Sequence, residues 1–155
     1  MSELASRLSY EDFRSQAPEA YAGLVALSKA ASAAGVDKAI SELAKVRASQ
    51  INGCAFCLRM HVDIGRRLGI AEEKLDLLAA WREAGVFDAR ERAMLAWTEA
   101  LTTLGDEAER EAAYAELLRH FSPEHAVLLT VTIGTINQWN RLAIGFRFSP
   151  KSARR

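Results

Sequence analysis

The sequence predicts an all-α protein, folded as a single helical domain over residues 1–155 that assembles into an oligomer. Only three prolines and nine glycines occur in the 155 residues, alanine is abundant, and β-branched residues form no alternating runs. The length suits one domain with one sizeable hydrophobic core. No repeat of solenoid length and no linker rich in proline, glycine or serine divides the chain.

Apolar periodicity predicts seven helices, and the first three have clear start and stop signals. Pro18 opens the first helix, Asp37 caps the second, and the pair Asn52-Gly53 separates the second from the third, which ends at Gly69. The predicted helices cover residues 18–35, 37–52, 53–69, 71–83, 88–105, 107–121 and 123–144.

The later helices are bounded in the same way. Gly85 ends the fourth helix, and Asp88 with Glu91 forms a capping-box pattern at the start of the fifth. Ser122 followed by Pro123 places a serine cap and a first-turn proline before the last helix. Residues 149–155 are short and polar, which predicts a disordered tail.

The last predicted helix is apolar around most of its circumference. The residues that carry this pattern are Val127, Leu128, Leu129, Val131, Ile133 and Ile136. Such a helix lies either at the centre of a core or in a subunit interface, and the sequence leaves both interpretations open.

Charge and hydropathy exclude several classes of partner. Twenty basic residues balance twenty acidic ones, so no net field favours nucleic acid or an anionic membrane surface. No apolar run is long enough to span a bilayer, and residues 1–7 are polar with no signal-peptide core after them. We therefore expect a cytoplasmic protein with no nucleic-acid or membrane partner.

The chain has two cysteines, and they lie three residues apart as Cys54 and Cys57. A secreted disulfide scaffold would carry more cysteines and would close longer loops with them. The spacing places Cys54, Cys57 and His61 on one helical face, where two thiols can form a disulfide with little adjustment. The inward face of this helix is predicted to carry Cys57 together with Met60, Ile64 and Leu68. The pattern indicates redox or metal chemistry.

A nucleophilic cysteine must be a thiolate, and two features of the segment favour different sulfurs. The partial positive charge at the helix N-terminus favours a thiolate on Cys54. His61 lies one turn beyond Cys57 and can accept its proton or pair with its thiolate. The residues alone leave open which sulfur reacts first.

Two roles without redox chemistry also fit the cysteines. They can be buried structural side chains, as free cysteines often are. Alternatively, Cys54, Cys57 and His61 can bind zinc with His120 or His125 as the fourth ligand, although the chain has no second CxxC motif. His120 and His125 stand near predicted helix ends, where dipole or surface roles are the common explanation.

Glu42, followed by Ser49-x-x-Asn52-x-Cys54-x-x-Cys57-x-x-x-His61, resembles the signature of the alkylhydroperoxidase D family, within the carboxymuconolactone decarboxylase-like superfamily. The resemblance is strongest over residues 38–70. The stretches 81–84, 96–101 and 136–143 are similar to the middle and the C-terminal helix of that group, so the resemblance covers most of the chain.

The resemblance implies a helical fold that assembles into trimers or hexamers, and a peroxidase cycle without haem, metal or other cofactor. It implies that Cys57 attacks the peroxide, that Cys54 resolves the product, and that His61 and Glu42 relay the proton. Without the family, Glu42 would be taken for an exposed glutamate on a helix surface. The cysteine pair argues against the decarboxylase branch, which does not need it.

The implied substrate is a hydroperoxide, and the implied reductant is an external dithiol or a lipoyl-bearing protein. Some members of the family carry a histidine between the two cysteines, where this chain has Phe56. That difference simplifies the proton relay and makes the pocket more apolar. Because Phe56, Leu58 and Met60 supply apolar surroundings, we expect an organic hydroperoxide. The rival function is a disulfide exchanger or redox sensor that acts on a partner protein without reducing peroxides.

Overall fold

The computed structural model describes residues 5–150, and within them it has eight α-helices, one 3-10 turn and no β-strand. The all-α prediction is confirmed. The helices are α1 (Tyr10–Gln16), α2 (Pro18–Ala33), α3 (Lys38–Asn52), α4 (Ala55–Arg67), α5 (Glu72–Leu77), α6 (Ala89–Thr103), α7 (Glu107–His120) and α8 (Pro123–Phe146), and the 3-10 turn is Leu78–Ala80.

Side-chain caps begin the helices where the sequence places them. The Asp37 carboxylate accepts hydrogen bonds from the N–H groups of Ala39 and Ile40 at the start of α3. Asp88 and Glu91 form the reciprocal capping box of α6. The Ser122 hydroxyl accepts from the N–H of His125 at the start of α8. These caps confirm the predicted helix starts.

The first helix, α1, was absent from the sequence prediction. Ser9 and Asp12 form a capping box at its start, and this is the sequence signal that could have revealed it. A seven-residue helix is too short to show a clear apolar period, and it depends on tertiary packing for its stability. Its buried residue Phe13 packs edge-to-face on Trp139 of α8.

The fourth predicted helix, 71–83, is shorter in the structure. The α-helix ends at Leu77, and the chain continues as a 3-10 turn before it leaves helical structure at Trp81. The Arg92 guanidinium donates to the backbone carbonyls of Trp81 and Arg82, which satisfies acceptors outside a helical ladder. The indole N–H of Trp81 donates to Glu99, and this anchors the turn on α6.

Helix α3 lies at the centre of the fold and packs on α4, α6 and α8. The larger apolar cluster includes Leu43, Val46, Leu95, Leu129 and Ile133, all at most 1 % exposed. A second cluster joins the two cysteines to aromatic side chains from both ends of the chain. Its buried members are Phe13, Ala48, Cys54, Phe56, Cys57, Ile136, Ala143 and Phe148.

The predicted inward face of α4 is partly wrong. Cys57 is buried, but Met60 and Leu68 are 40 % and 42 % exposed. The face that packs on α3 and α8 instead carries Phe56, Cys57, His61 and Gly65. The apolar period pointed to Met60, whereas burial of the polar His61 is made possible by a hydrogen-bond partner on α3.

Helix α8 supplies core residues on one side only. Leu129, Ile133 and Ile136 are buried, whereas Val127 is 63 % exposed and Ile144 is also exposed. Within the single chain α8 is therefore a core helix with an apolar outer face, and oligomeric assembly stays a prediction.

Two further sequence expectations concern the ends of the chain and the membrane. Ser149 and Pro150 follow the buried Phe148 without regular structure, and the rest of the predicted disordered tail, 151–155, lies outside the described residues. None of the helices within residues 5–150 has the length and apolar character needed to cross a membrane.

Candidate thiol site

The cysteines lie at a tight junction between α3 and α4. Gly53 ends α3 with φ +67°, a left-handed conformation that glycine adopts without strain, and its N–H donates to the carbonyl of Gln50. The N–H of Cys54 donates to the carbonyl of Ser49 at 3.0 Å. Cys54 is the N-cap residue of α4 and Cys57 lies in its first turn. Both are free thiols, and both are buried.

A chain of side-chain amides from α3 and α8 lies beside the cysteines; Asn137 and Asn140 are buried and Asn52 is partly buried. The Asn52 amide donates to the side-chain oxygens of Asn137 and Asn140, both at 2.9 Å. Asn140, fully buried, donates to the Ser49 hydroxyl at 3.1 Å. Its amide also acts to lower the pKa of both cysteines. Asn140 thereby links the turn between α3 and α4 to α8.

The pKa values of the two thiols are shifted in opposite directions. The hydrogen bond from Cys57 lowers the pKa of Cys54 to about 7. Burial acts against this shift, and the N–H groups of the first turn of α4 and the Asn140 amide add to it. The same hydrogen bond, burial and the negative charge on Cys54 raise the pKa of Cys57. Of the two sulfurs, Cys54 is therefore the one that ionises first, as expected for a sulfur at a helix N-terminus.

Glu42 and His61 form a buried pair between α3 and α4. The Glu42 carboxylate lies 2.7 Å from Nδ1 of His61, and its other oxygen accepts from Lys45 at 2.7 Å. Burial acts to raise the pKa of Glu42, but the hydrogen bond and charge of His61, together with Lys45, outweigh it and lower that pKa. Because Nδ1 donates to Glu42, Nε2 is the ring nitrogen left to exchange protons.

A cavity of about 160 Å³ opens beside one of the two thiols. Cys57 and His61 line it, whereas Cys54 and Glu42 do not. This thiol cavity is mainly apolar, and its walls come from α1, α2, α3, α4 and α8. The other side chains that line it are Tyr10, Val25, Ser28, Lys29, Lys45, Phe56, Met60, Thr132, Thr135, Ile136 and Trp139.

The structure brings Glu42, Cys54, Cys57 and His61 into one region, as the resemblance implies, and Glu42 is only 6 % exposed. The interpretation of Glu42 as an exposed surface glutamate is therefore wrong. His120 bonds to Glu116 on α7, and His125 lies in the first turn of α8. Among residues 5–150, no three His, Cys, Asp or Glu side chains are grouped to hold a metal ion, so the zinc alternative gains no support.

The family to which the chain belongs follows from a comparison with known families. The model of the carboxymuconolactone decarboxylase family matches residues 18–100, which include α3, α4 and both cysteines. The chain belongs to this family. The resemblance to the alkylhydroperoxidase D group within that superfamily is confirmed.

Two bacterial proteins match almost the whole chain. The chain is 32% identical over 141 residues to the uncharacterized protein YdfG of Bacillus subtilis (strain 168), which covers 91% of this chain and 94% of YdfG. It is 38% identical to ATU0492 of Agrobacterium tumefaciens, a protein of unknown function for which a role in antioxidant defence as AhpD has been suggested. The two structures superpose with a TM-score of 0.88 over 96% of this chain and 99% of that chain.

A more distant solved structure shows the fold alone. The alkylhydroperoxidase AhpD core protein from Ralstonia eutropha JMP134, an uncharacterized peroxidase-related protein, is 22% identical with a TM-score of 0.75. The match covers 91% of this chain and 75% of that chain.

Several residues of the site had no assigned role in the sequence analysis. Asn137 and Asn140 lie one turn apart in the apolar last helix, and two amides at that spacing are a signal of a buried polar network. Lys45 follows Glu42 by three residues, which is ion-pair spacing on a helix. Tyr10 carried no such signal, because it reaches the thiol cavity from a helix that was not predicted.

Proposed function

We propose that this protein is a thiol-dependent peroxidase that reduces organic hydroperoxides through a dithiol–disulfide cycle of Cys54 and Cys57. The observation that carries the proposal is the position of Cys57, which lines an apolar cavity together with His61 while Cys54 lies behind it. A substrate in that cavity meets the sulfur of Cys57 first. This supports the roles that the family resemblance implies.

The first chemical step is attack on the peroxide. The proton of Cys57 passes to its hydrogen-bond partner, the Cys54 thiolate, and the Cys57 thiolate attacks the O–O bond. Cys57 becomes a sulfenic acid, and the leaving alkoxide takes a proton from His61 to give an alcohol. Glu42 holds His61 through Nδ1 and stabilises the imidazolium form before that transfer.

The second step forms the disulfide between the two cysteines. Cys54, now a thiol, condenses with the sulfenic acid, so the disulfide forms and water leaves. One hydroperoxide and two thiols thus give one alcohol, one water and one disulfide. An external dithiol or a lipoyl-bearing protein then reduces the disulfide by exchange.

The surroundings of the site support the remaining parts of the proposal. Val25, Phe56, Ile136 and Trp139 make the cavity walls apolar, which favours an organic hydroperoxide over hydrogen peroxide. A reducing cytoplasm would keep both thiols free between turnovers. The trimer or hexamer implied by the family would cover exposed apolar side chains such as Val127 and Ile144.

The test is oxidation of the reduced protein by cumene hydroperoxide, followed by thiol counting and intact mass. Wild type is expected to form the Cys54–Cys57 disulfide rapidly. Cys54→Ser should stop at a sulfenic acid on Cys57, because the resolving thiol is missing. Cys57→Ser should react at least about tenfold more slowly, because Cys54 does not line the cavity.

The outcome decides between the proposal and its rival. Thiols that survive excess peroxide but exchange rapidly with an oxidised dithiol protein would favour the disulfide exchanger or redox sensor. A Cys57→Ser variant that reacts as fast as wild type would reverse the roles of the two cysteines.

A further inference from the structure

A second cavity adjoins the thiol cavity, and the peroxidase steps above do not use it. It has a volume of about 290 Å³ and lies between α2, α3 and α4. Ser28, Lys29 and Lys45 line both cavities, so the two spaces meet at these side chains. We refer to the second space, lined also by Lys38, Ser41 and Glu42, as the basic cavity.

The charges around the basic cavity are unbalanced. Lys29, Lys38 and Lys45 line it, and Glu42 is its single acidic side chain. Both oxygens of Glu42 are already bonded, one to Lys45 and the other to His61. Within residues 5–150, Lys29 and Lys38 have no ion-pair partner. Two ammonium groups are therefore available to an anionic ligand.

Ser41 provides an independent indication of a ligand. It is 4 % exposed, and among the described residues its hydroxyl is the buried side-chain polar group without a hydrogen-bond partner. A buried hydroxyl in that state is unfavourable, and native proteins rarely leave one unpaired. Ser41 lines the basic cavity, so an acceptor bound there could satisfy it.

We propose that the substrate of this protein is an organic hydroperoxide that also carries a carboxylate. Its apolar body and O–O group occupy the thiol cavity beside Cys57, and its carboxylate lies in the basic cavity with Lys29, Lys38 and Ser41. A carboxylate joined to an apolar body fits because the basic cavity adjoins a mainly apolar one. The product is then a hydroxy acid, formed with water and the disulfide. This inference rests on the proposed peroxidase function.

A binding measurement tests the carboxylate site without any peroxide chemistry. Isothermal titration calorimetry of the reduced protein at low ionic strength compares 4-isopropylbenzoate with 4-isopropylbenzamide, which has nearly the same shape and no charge. The acid is expected to bind about tenfold more tightly than the amide. The double variant Lys29→Met/Lys38→Met should lose that preference, and Ser41→Ala should reduce it.

Arg119→Met serves as the matched control, because it removes one exposed positive charge from α7, a helix that lines neither cavity. It should keep the preference of wild type. Equal binding of acid and amide, or an unchanged preference in the double lysine variant, would overturn the proposal.

Kinetics then separate this inference from the proposed function. The substrates are 4-(2-hydroperoxypropan-2-yl)benzoate and its methyl ester. The acid should have about tenfold higher kcat/KM through a lower KM, and the double lysine variant should lose this advantage, so that it gives acid and ester similar kcat/KM. Equal kcat/KM for acid and ester overturns the carboxylate site and leaves the peroxidase standing. Thiols inert to both substrates overturn the peroxidase, and the calorimetry still decides the site.

Discussion

Glu42 shows how burial changes the chemistry of a single side chain. Its carboxylate is held between Lys45 and His61 and is shielded from solvent. A buried carboxylate is costly unless it is paired, and here two cationic or hydrogen-bonding partners meet that requirement. The same contacts that keep it ionised also fix the orientation of the imidazole.

The pKa of Glu42 is lower in the folded protein than its unfolded value of about 4.5. The ionised carboxylate therefore stabilises the fold fully above pH 4.5, and this stabilisation is lost as the pH falls through the pKa of the folded state. We expect Glu42→Gln to lower the free energy of unfolding by about 1–2 kcal/mol at pH 7. The difference from wild type should shrink below pH 4.5. Urea unfolding at a series of pH values measures it.

Glu111→Gln is the control for that prediction, because Glu111 is an exposed side chain on α7. Its effect should stay within about 0.5 kcal/mol at every pH. A Glu42→Gln penalty that is equal at pH 7 and pH 3 would contradict the linkage.

Asn140 acts on the thiols rather than on the substrate. Its amide favours the thiolate form of both cysteines; its oxygen accepts from the Asn52 amide, and its N–H donates to the Ser49 hydroxyl. We expect Asn140→Ala to raise the first thiol pKa of the pair, about 7 for Cys54, by about one pH unit. Ultraviolet absorbance of the thiolate against pH measures this.

Gln138→Ala, an exposed change on the same helix, should leave the thiol titration unaltered. If Asn140→Ala leaves the first midpoint where it is in wild type, then Asn140 has no influence on the thiolate.

At the scale of elements, the junction of α3 and α4 positions the whole site. Gly53 turns the chain in a left-handed conformation. As a result, Cys54 is the N-cap residue of α4, and Ser49 and Asn52 lie in the last turn of α3 beside it. A side chain at position 53 would meet no atom within 4 Å, so any penalty there comes from the backbone conformation alone.

We expect Gly53→Ala to lower the free energy of unfolding by about 1 kcal/mol, because alanine is disfavoured at φ +67°. Gly23→Ala is the matched control. It makes the same change inside α2, with equally open space, and should stabilise the protein by about 0.5–1 kcal/mol. Chemical denaturation measures both, and equal signs for the two variants would refute the argument.

At the scale of the whole molecule, aromatic side chains from both ends of the chain close over the thiol site. Phe148, which follows α8, packs on Tyr10 and Phe13 of α1 and on Phe56 between the cysteines. The N–H of Arg7 donates to the carbonyl of Phe146 at 2.9 Å, so the two ends are also joined through the backbone.

We expect Phe148→Ala to lower the free energy of unfolding by about 3–4 kcal/mol and to increase the reactivity of the native thiols toward a disulfide reagent, because it opens a void beside Phe56. Phe146→Ala removes a neighbouring ring that is exposed, and should cost less than about 1 kcal/mol. Thiol reactivity equal in the two variants would show that the aromatic cluster does not shield the cysteines.

Local signals were enough to predict most of the helices and the reactive motif. Caps such as Asp37, Asp88 and Ser122 and the stop at Gly53 act within one turn, and Cys54, Cys57 and His61 lie within two turns of one helix. Each depends on residues at most a few positions apart. The family resemblance added Glu42, which no local pattern singles out.

Only the tertiary structure decided which groups share the site and which face solvent. Glu42 meets His61 across 19 positions, and Asn140 meets Ser49 across 91. The burial of His61 in place of Met60, and the closing of α1 over the thiols, likewise depend on packing between distant segments. A local pattern fixes the helices, but the relative placement of helices follows from the packing of the whole core, which no short stretch of sequence contains.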